Sequence, residues 1–171
     1  MDHSEVENLI QRLSVNQTIS SEAALEELLS VDRQQLIYVL TKLLASDDIE
    51  LRMWELSCFV IIKLDLALGI RLLLPFLSST NIDKRWYVTG LLGRYGNNEV
   101  VEPLINLLEH EPIPEVRNLA AFSLGKLGDK RALKILQFIK EHDDSKDYEG
   151  RSIADTARQA IESILKIISH N

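Results

Sequence analysis

From Glu50 to Ile139 apolar residues recur with the period of an amphipathic helix, and the pattern itself returns every 32 or 33 residues. The stretch Val116-Arg117-Asn118-Leu119-Ala120-Ala121-Phe122-Ser123-Leu124-Gly125-Lys126-Leu127-Gly128-Asp129 overlays Lys84-Arg85-Trp86-Tyr87-Val88-Thr89-Gly90-Leu91-Leu92-Gly93-Arg94-Tyr95-Gly96-Asn97. The arginine, the leucine seven later and the glycines eight and eleven later coincide. Apolar or small residues mostly fall two, three, six, seven and ten positions after the arginine, on one helical face. A third copy runs from Leu51-Arg52 through Phe59 and Ile62 to Asp65, with Glu55 breaking the pattern. A fourth, weaker copy is Ala157-Arg158-Gln159-Ala160-Ile161, continuing to Leu165 and Ile168.

Each copy predicts a first helix, a turn and a second helix. The second helices align as Ala67-Leu68, Ile70 and Leu73-Leu74; Val100-Val101, Leu104 and Leu107-Leu108; and Ala132-Leu133, Ile135-Leu136 and Ile139. Gly128-Asp129 is the clearest turn: glycine tolerates the left-handed conformation ending one helix, and aspartate accepts from the free amides of the next. Gly96-Asn97-Asn98 and Leu64-Asp65 hold the corresponding positions. Upstream, Glu22–Leu29 and Arg33–Leu44 predict a degenerate helix pair, Ser4–Leu13 a capping helix, and Asn16–Ser21 a polar loop.

The arginines fall 33, 32 and 41 residues apart, so an insertion is expected before the last helix. The expected fold is all-α, a right-handed α-α superhelix of four to five stacked helix pairs with capping helices. Its expected organisation is a single domain, 1–171: a cap and degenerate pair (1–46), three clear repeats (47–142), an insertion loop (143–151) and a C-terminal capping helix (152–171). Ser152-Ile153-Ala154-Asp155 reads as a capping box that starts this helix.

The repeat resembles the HEAT-like family, in the subgroup first recognised in phycobilisome bilin lyases. The resemblance covers 47–168 and is strongest over 83–138. It rests on the basic start, the small residues and the Leu-Gly-x-Leu-Gly-Asp turn. It implies a solenoid and, for function, two expectations. One is a non-catalytic scaffold or adaptor that binds another protein. The other is a subunit of a bilin lyase or related chromophore-handling protein, with phycobilin as substrate and a phycobiliprotein or second HEAT-like subunit as partner.

Charge narrows the partner class. Twenty-six acidic residues stand against 19 basic, a net −7, the reverse of a surface that tracks a phosphate backbone or an anionic membrane. No nucleic acid and no membrane are therefore expected. The most apolar stretch, Cys58–Leu77, is broken by Lys63, Asp65, Arg71 and Pro75. A single cysteine, Cys58, and an N-terminus without an apolar leader fit a reducing, cytoplasmic setting.

No residues are assigned as catalytic, cofactor-binding or metal-binding. His110 and His142 end corresponding second helices, but one His110-Glu111 pair is far from the several His-Glu pairs that hold the di-iron centre of HEAT-like deoxyhypusine hydroxylases. Cys58 falls on a buried helix face. The glycines punctuate repeats and form no phosphate loop.

Three sets of residues are candidates for structure or binding. Arg52, Arg85, Arg117 and Arg158 form a column expected to pair with carboxylates or turn carbonyls and set the packing between units. On the second helices, Arg71, Glu102, Asn106, Lys134 and Gln137 point outward as a mixed polar row. Met53 and Trp86 follow their arginines where other copies carry Asn118 and Gln159; read as exposed, they make an apolar patch with Phe122.

Overall fold

The structure is a computed structural model describing residues 2–15 and 22–170, with side chains omitted for 22–25. The loop expected at Asn16–Ser21 lies outside the described residues. Among those described the protein is all-α, with no strands and one isolated antiparallel bridge, Lys146 to Ser152. Contacts group it into two compact units, residues 1–72 and 73–171.

The first unit holds α1 (His3–Val15), α2 (Glu22–Leu29), α3 (Arg33–Leu44), α4 (Leu51–Leu64) and most of α5 (Leu66–Leu73). Asp2 and Glu5 cap the start of α1 reciprocally, and Asp32 caps α3 by accepting from Gln35 N–H at 3.0 Å. Helix α4 is buried almost all round, through Trp54, Leu56, Cys58, Val60 and Ile61, because α1, α2 and α3 pack on it. Arg33 ties the start of α3 to the end of α4, donating to the Leu64 carbonyl and the Asp65 carboxylate at 3.0 Å each. Asp65 in turn caps α5 through Leu68 N–H.

The second unit opens with a 3₁₀ turn (Leu74–Ser78). Then come α6 (Ile82–Tyr95), α7 (Val101–His110), α8 (Pro114–Leu127), a 3₁₀ turn (Lys130–Ala132), α9 (Leu133–His142) and α10 (Ile153–Ser169). First helices pack in order, α6 on α8 and α8 on α10, while α7 packs on α8 and α9 on α10. Small residues allow this close stacking. A Cβ built on Gly93 would sit 2.3 Å from Ser123 Cβ, and one on Gly125 2.7 Å from Ala160 Cα. Val88, Leu92, Leu104, Leu108, Leu124 and Leu136 fill the space beneath. Gly128 ends α8 with φ of 71°, and Asp129 caps the following turn, as the Gly-Asp pair predicted.

The loop 143–152 is folded onto the second unit. The Asp147 carboxylate has no exposed surface and accepts from Asn118 Nδ2 at 2.6 Å, Arg151 Nε at 2.6 Å and Arg151 N–H at 2.9 Å. Gly150 turns the loop with φ of 81°. Burial alone would raise the Asp147 pKa; the bonds from Arg151 and Asn118 outweigh it and hold it down to about 2, from 3.8.

A depressed carboxylate pKa stabilises the fold above the unfolded value, and that contribution fades as pH falls through the folded one. Asp147→Asn should lower the urea midpoint by a constant amount at neutral pH. The gap from wild type should narrow between about pH 4 and pH 2. A gap independent of pH down to 2 would mean that ionised Asp147 does not hold the loop.

Candidate functional site

The arginine column divides into two brackets and two surface residues. Arg85 donates from Nε and Nη2 to the two carboxylate oxygens of Glu111, both at 2.8 Å, and from Nη1 to the Ser79 carbonyl at 2.7 Å. Arg117 donates from Nε to Asp143 at 2.9 Å, from Nη2 to Ser145 Oγ at 2.7 Å, and from Nη1 to the Glu111 and Pro112 carbonyls at 2.9 Å each. Each guanidinium joins the turn entering its own helix to the acidic residue ending the next, 26 residues on. The bidentate bond to Glu111 outweighs desolvation and raises the Arg85 pKa further. Both guanidiniums are largely engaged by protein groups, Arg85 by Glu111 and Ser79 and Arg117 by Asp143, Ser145 and two carbonyls.

Arg158 does not belong to this column. Gly93 of α6 abuts Ser123 of α8, six residues after Arg117; Gly125 of α8 abuts Ala160 of α10, six residues after Ala154. The residue of α10 in register with Arg117 is therefore Ala154, and Arg158 lies one helical turn further along. It is exposed and pairs with Asp155 and Glu162 of its own helix. Arg52 is exposed as well and makes no ion pair among the described residues.

The apolar patch also needs correcting. Met53 is 4% exposed and lies in the core of the first unit, on the helix that α1, α2 and α3 cover. Reading the position after the arginine as open relied on the polar Asn118 and Gln159; Gln159 is exposed, yet Asn118 is 6% exposed. The loop 143–152 covers it, and its Nδ2 donates to Asp147 while its Oδ1 is buried without a partner among the described residues. Trp86 is 46% exposed because only three residues, 111–113, separate α7 from α8, so no loop reaches over it.

Phe122, 53% exposed, stands as a ridge between two half-open clefts. The first, of about 420 Å³, lies between α6 and α8, lined by Gly90, Gly93, Leu119 and Ser123 with Arg94 and Lys126 at its rim. The second, of about 280 Å³, lies between α8 and α10, lined by Gly125, Ala160, Ser163 and Ile167 with Lys126 and Lys166. The Lys126 ammonium sits 5.6 Å from the centre of the Phe122 ring. Trp86 is on α6 one turn ahead of Gly90. Arg94 and Lys126 hold the same place in successive repeats, in Gly93-Arg94-Tyr95-Gly96 and Gly125-Lys126-Leu127-Gly128. That repeated basic position is the sequence signal that marks this face.

The second-helix row is exposed as expected, and of its three charged residues only Glu102 is in an ion pair among the described residues. Glu102 pairs with Arg131 at 3.3 Å, and Gln137 donates to Glu141 on its own helix. Asn106 lines an open pocket of about 470 Å³ with Pro103, Leu107, His110 and the Arg85–Glu111 pair. Lys134 is exposed on α9, and Arg71 is exposed in the first unit. His110 Nδ1 lies 2.9 Å from the Asn106 carbonyl and His142 Nδ1 2.9 Å from that of Phe138, one turn back in each helix. Among the described residues no three His, Cys, Asp or Glu side chains group to hold a metal, and Cys58 is fully buried. No described helix is long and apolar enough to cross a membrane.

Residues 70–154, just under half of the chain, match the family model for HEAT repeats. Comparison with curated proteins finds no match. Among solved structures, the crystal structure of an engineered protein, a structural-genomics target, is similar with a TM-score of 0.56 at 20% identity. The likeness covers 94% of this chain and 79% of that one, and it concerns the fold alone. The repeats of the second unit thus resemble HEAT repeats: stacked helix pairs, with the Phe122 ridge on the first helix α8.

Proposed function

We propose that this protein is a non-catalytic interaction module that binds another protein through the α6–α8–α10 face of its second unit. The observation that carries this reading is the exposed Phe122 between two clefts, with Trp86 nearby on α6. A core would bury such a ring, and aromatic side chains and arginine are enriched at protein interfaces. HEAT-like stacks suit the task because each repeat adds surface without altering its neighbours. The sole cysteine, a buried thiol in no disulfide, fits a reducing compartment.

The bilin-handling alternative rests on the sequence resemblance, and no feature of this face favours it. Cys58, the only thiol, has no exposed surface from which to carry a chromophore.

A photo-crosslinking phenylalanine analogue placed at position 122 in the native host tests the reading. Irradiation should give a discrete protein adduct at 122 and none at position 134 on the second-helix row. Adducts at 134 alone, or at neither position, would overturn the choice of face.

A further inference from the structure

We infer that the occupant of this face is an acidic amphipathic segment of a partner protein, straddling the Phe122 ridge with an apolar side chain in each cleft. The inference rests on the reading of this face as the binding surface and names the chemistry of what binds there. Three observations carry it.

The first is charge. The chain has a net charge of −7, yet the only charged residues lining the two clefts are Arg94, Lys126 and Lys166. None of the three makes an ion pair among the described residues, and no carboxylate lines either cleft. A local excess of unmatched cations on an acidic protein selects a carboxylate-bearing partner and repels basic ones.

The second is Gly90. Unlike Gly93 and Gly125, it is not required by helix packing, since a Cβ there would meet only Leu119 Cδ2 at an ordinary 3.5 Å. A glycine inside a helix is destabilising relative to alanine. What its missing side chain leaves open is the floor of the first cleft.

The third is shape. Two clefts divided by one ring suit a segment presenting apolar side chains to both, more than one compact ligand seated in a single cavity. The apolar floors (Gly90, Leu119, Gly125, Ile167) and cationic rim match a segment that alternates apolar anchors with Asp or Glu.

The test is selection of a random dodecapeptide phage library on the full chain, followed by fluorescence anisotropy with the enriched peptides made synthetically. The expected consensus pairs two apolar residues with flanking Asp or Glu. Gly90→Leu, which fills the first cleft, and the double variant Lys126→Glu, Lys166→Glu at exposed positions should each weaken binding by about tenfold or more. Raising salt should weaken it too. Helical circular dichroism near wild type shows that each variant is folded.

Peptides blocked by Gly90→Leu, but neutral or basic in sequence and indifferent to the lysine changes, would overturn the acidic occupant and leave the face reading intact. Enriched peptides indifferent to Gly90→Leu, or no enrichment at all, would also overturn this inference. The crosslink at position 122 then judges the face on its own.

Discussion

Glu111→Ala is expected to cost about 3–5 kcal/mol of unfolding free energy, among the largest effects available from one side chain in this molecule. Arg85 and Glu111 are 11% and 2% exposed, so removing the carboxylate leaves a guanidinium among carbonyls with no counter-charge. The same carboxylate accepts from Ile113 N–H at 3.0 Å and thereby shapes the entry to α8. The double variant Arg85→Met, Glu111→Met should recover part of the loss, because it removes both charges from the interior. Arg158→Ala, in an exposed pair on α10, should leave the urea midpoint near wild type. If Glu111→Ala and Arg158→Ala behaved alike, the brackets would have no part in holding the repeats together.

Gly93→Val should also be damaging, while Gly90→Ala on the same helix should stabilise. A side chain at 93 meets Ser123 Oγ at 2.1 Å and Ser123 Cα at 2.9 Å, so α6 and α8 must separate and the Ser123 bond to the Thr89 carbonyl is disturbed. Overpacking of this kind costs about 1–3 kcal/mol or more. At 90 the added methyl has ordinary room and reduces the freedom of the unfolded chain, a gain of up to about 1 kcal/mol. Thermal melts of the two variants check the contrast. Equal destabilisation would show that the Gly90 cleft is closed in solution.

The repeat and its all-α character were readable from spacing, since an arginine, a leucine and two glycines recurred in fixed register. The arginine partners were readable in kind but not by name. Glu111 and Asp143 each follow their arginine by 26 residues, a regularity that becomes visible once the second helix is known to return to the first.

Arg158 misled because shifting a helix by four residues, about one turn, keeps its apolar face inward. Apolar periodicity alone could not choose between Ala154 and Arg158; the contact of Gly125 with Ala160 does. Asn118 misled for another reason. A polar side chain reads as exposed unless a distant group engages it, and Asp147, in a loop 29 residues away, accepts from its Nδ2. Met53 was hidden by helices that carry no repeat signature. Of the proposed patch, Trp86 and Phe122 stay open, and the cations beside Phe122 emerge once the clefts are seen.

The most direct test of the central claim is an amide NMR footprint of the crosslinked partner's interacting segment on isotopically labelled protein. The α6–α8–α10 reading predicts shifts concentrated at Gly90, Gly93, Phe122, Gly125 and Ser163. Shifts concentrated instead at Glu102, Asn106, Lys134 and Gln137, with the Phe122 ridge silent, would contradict it.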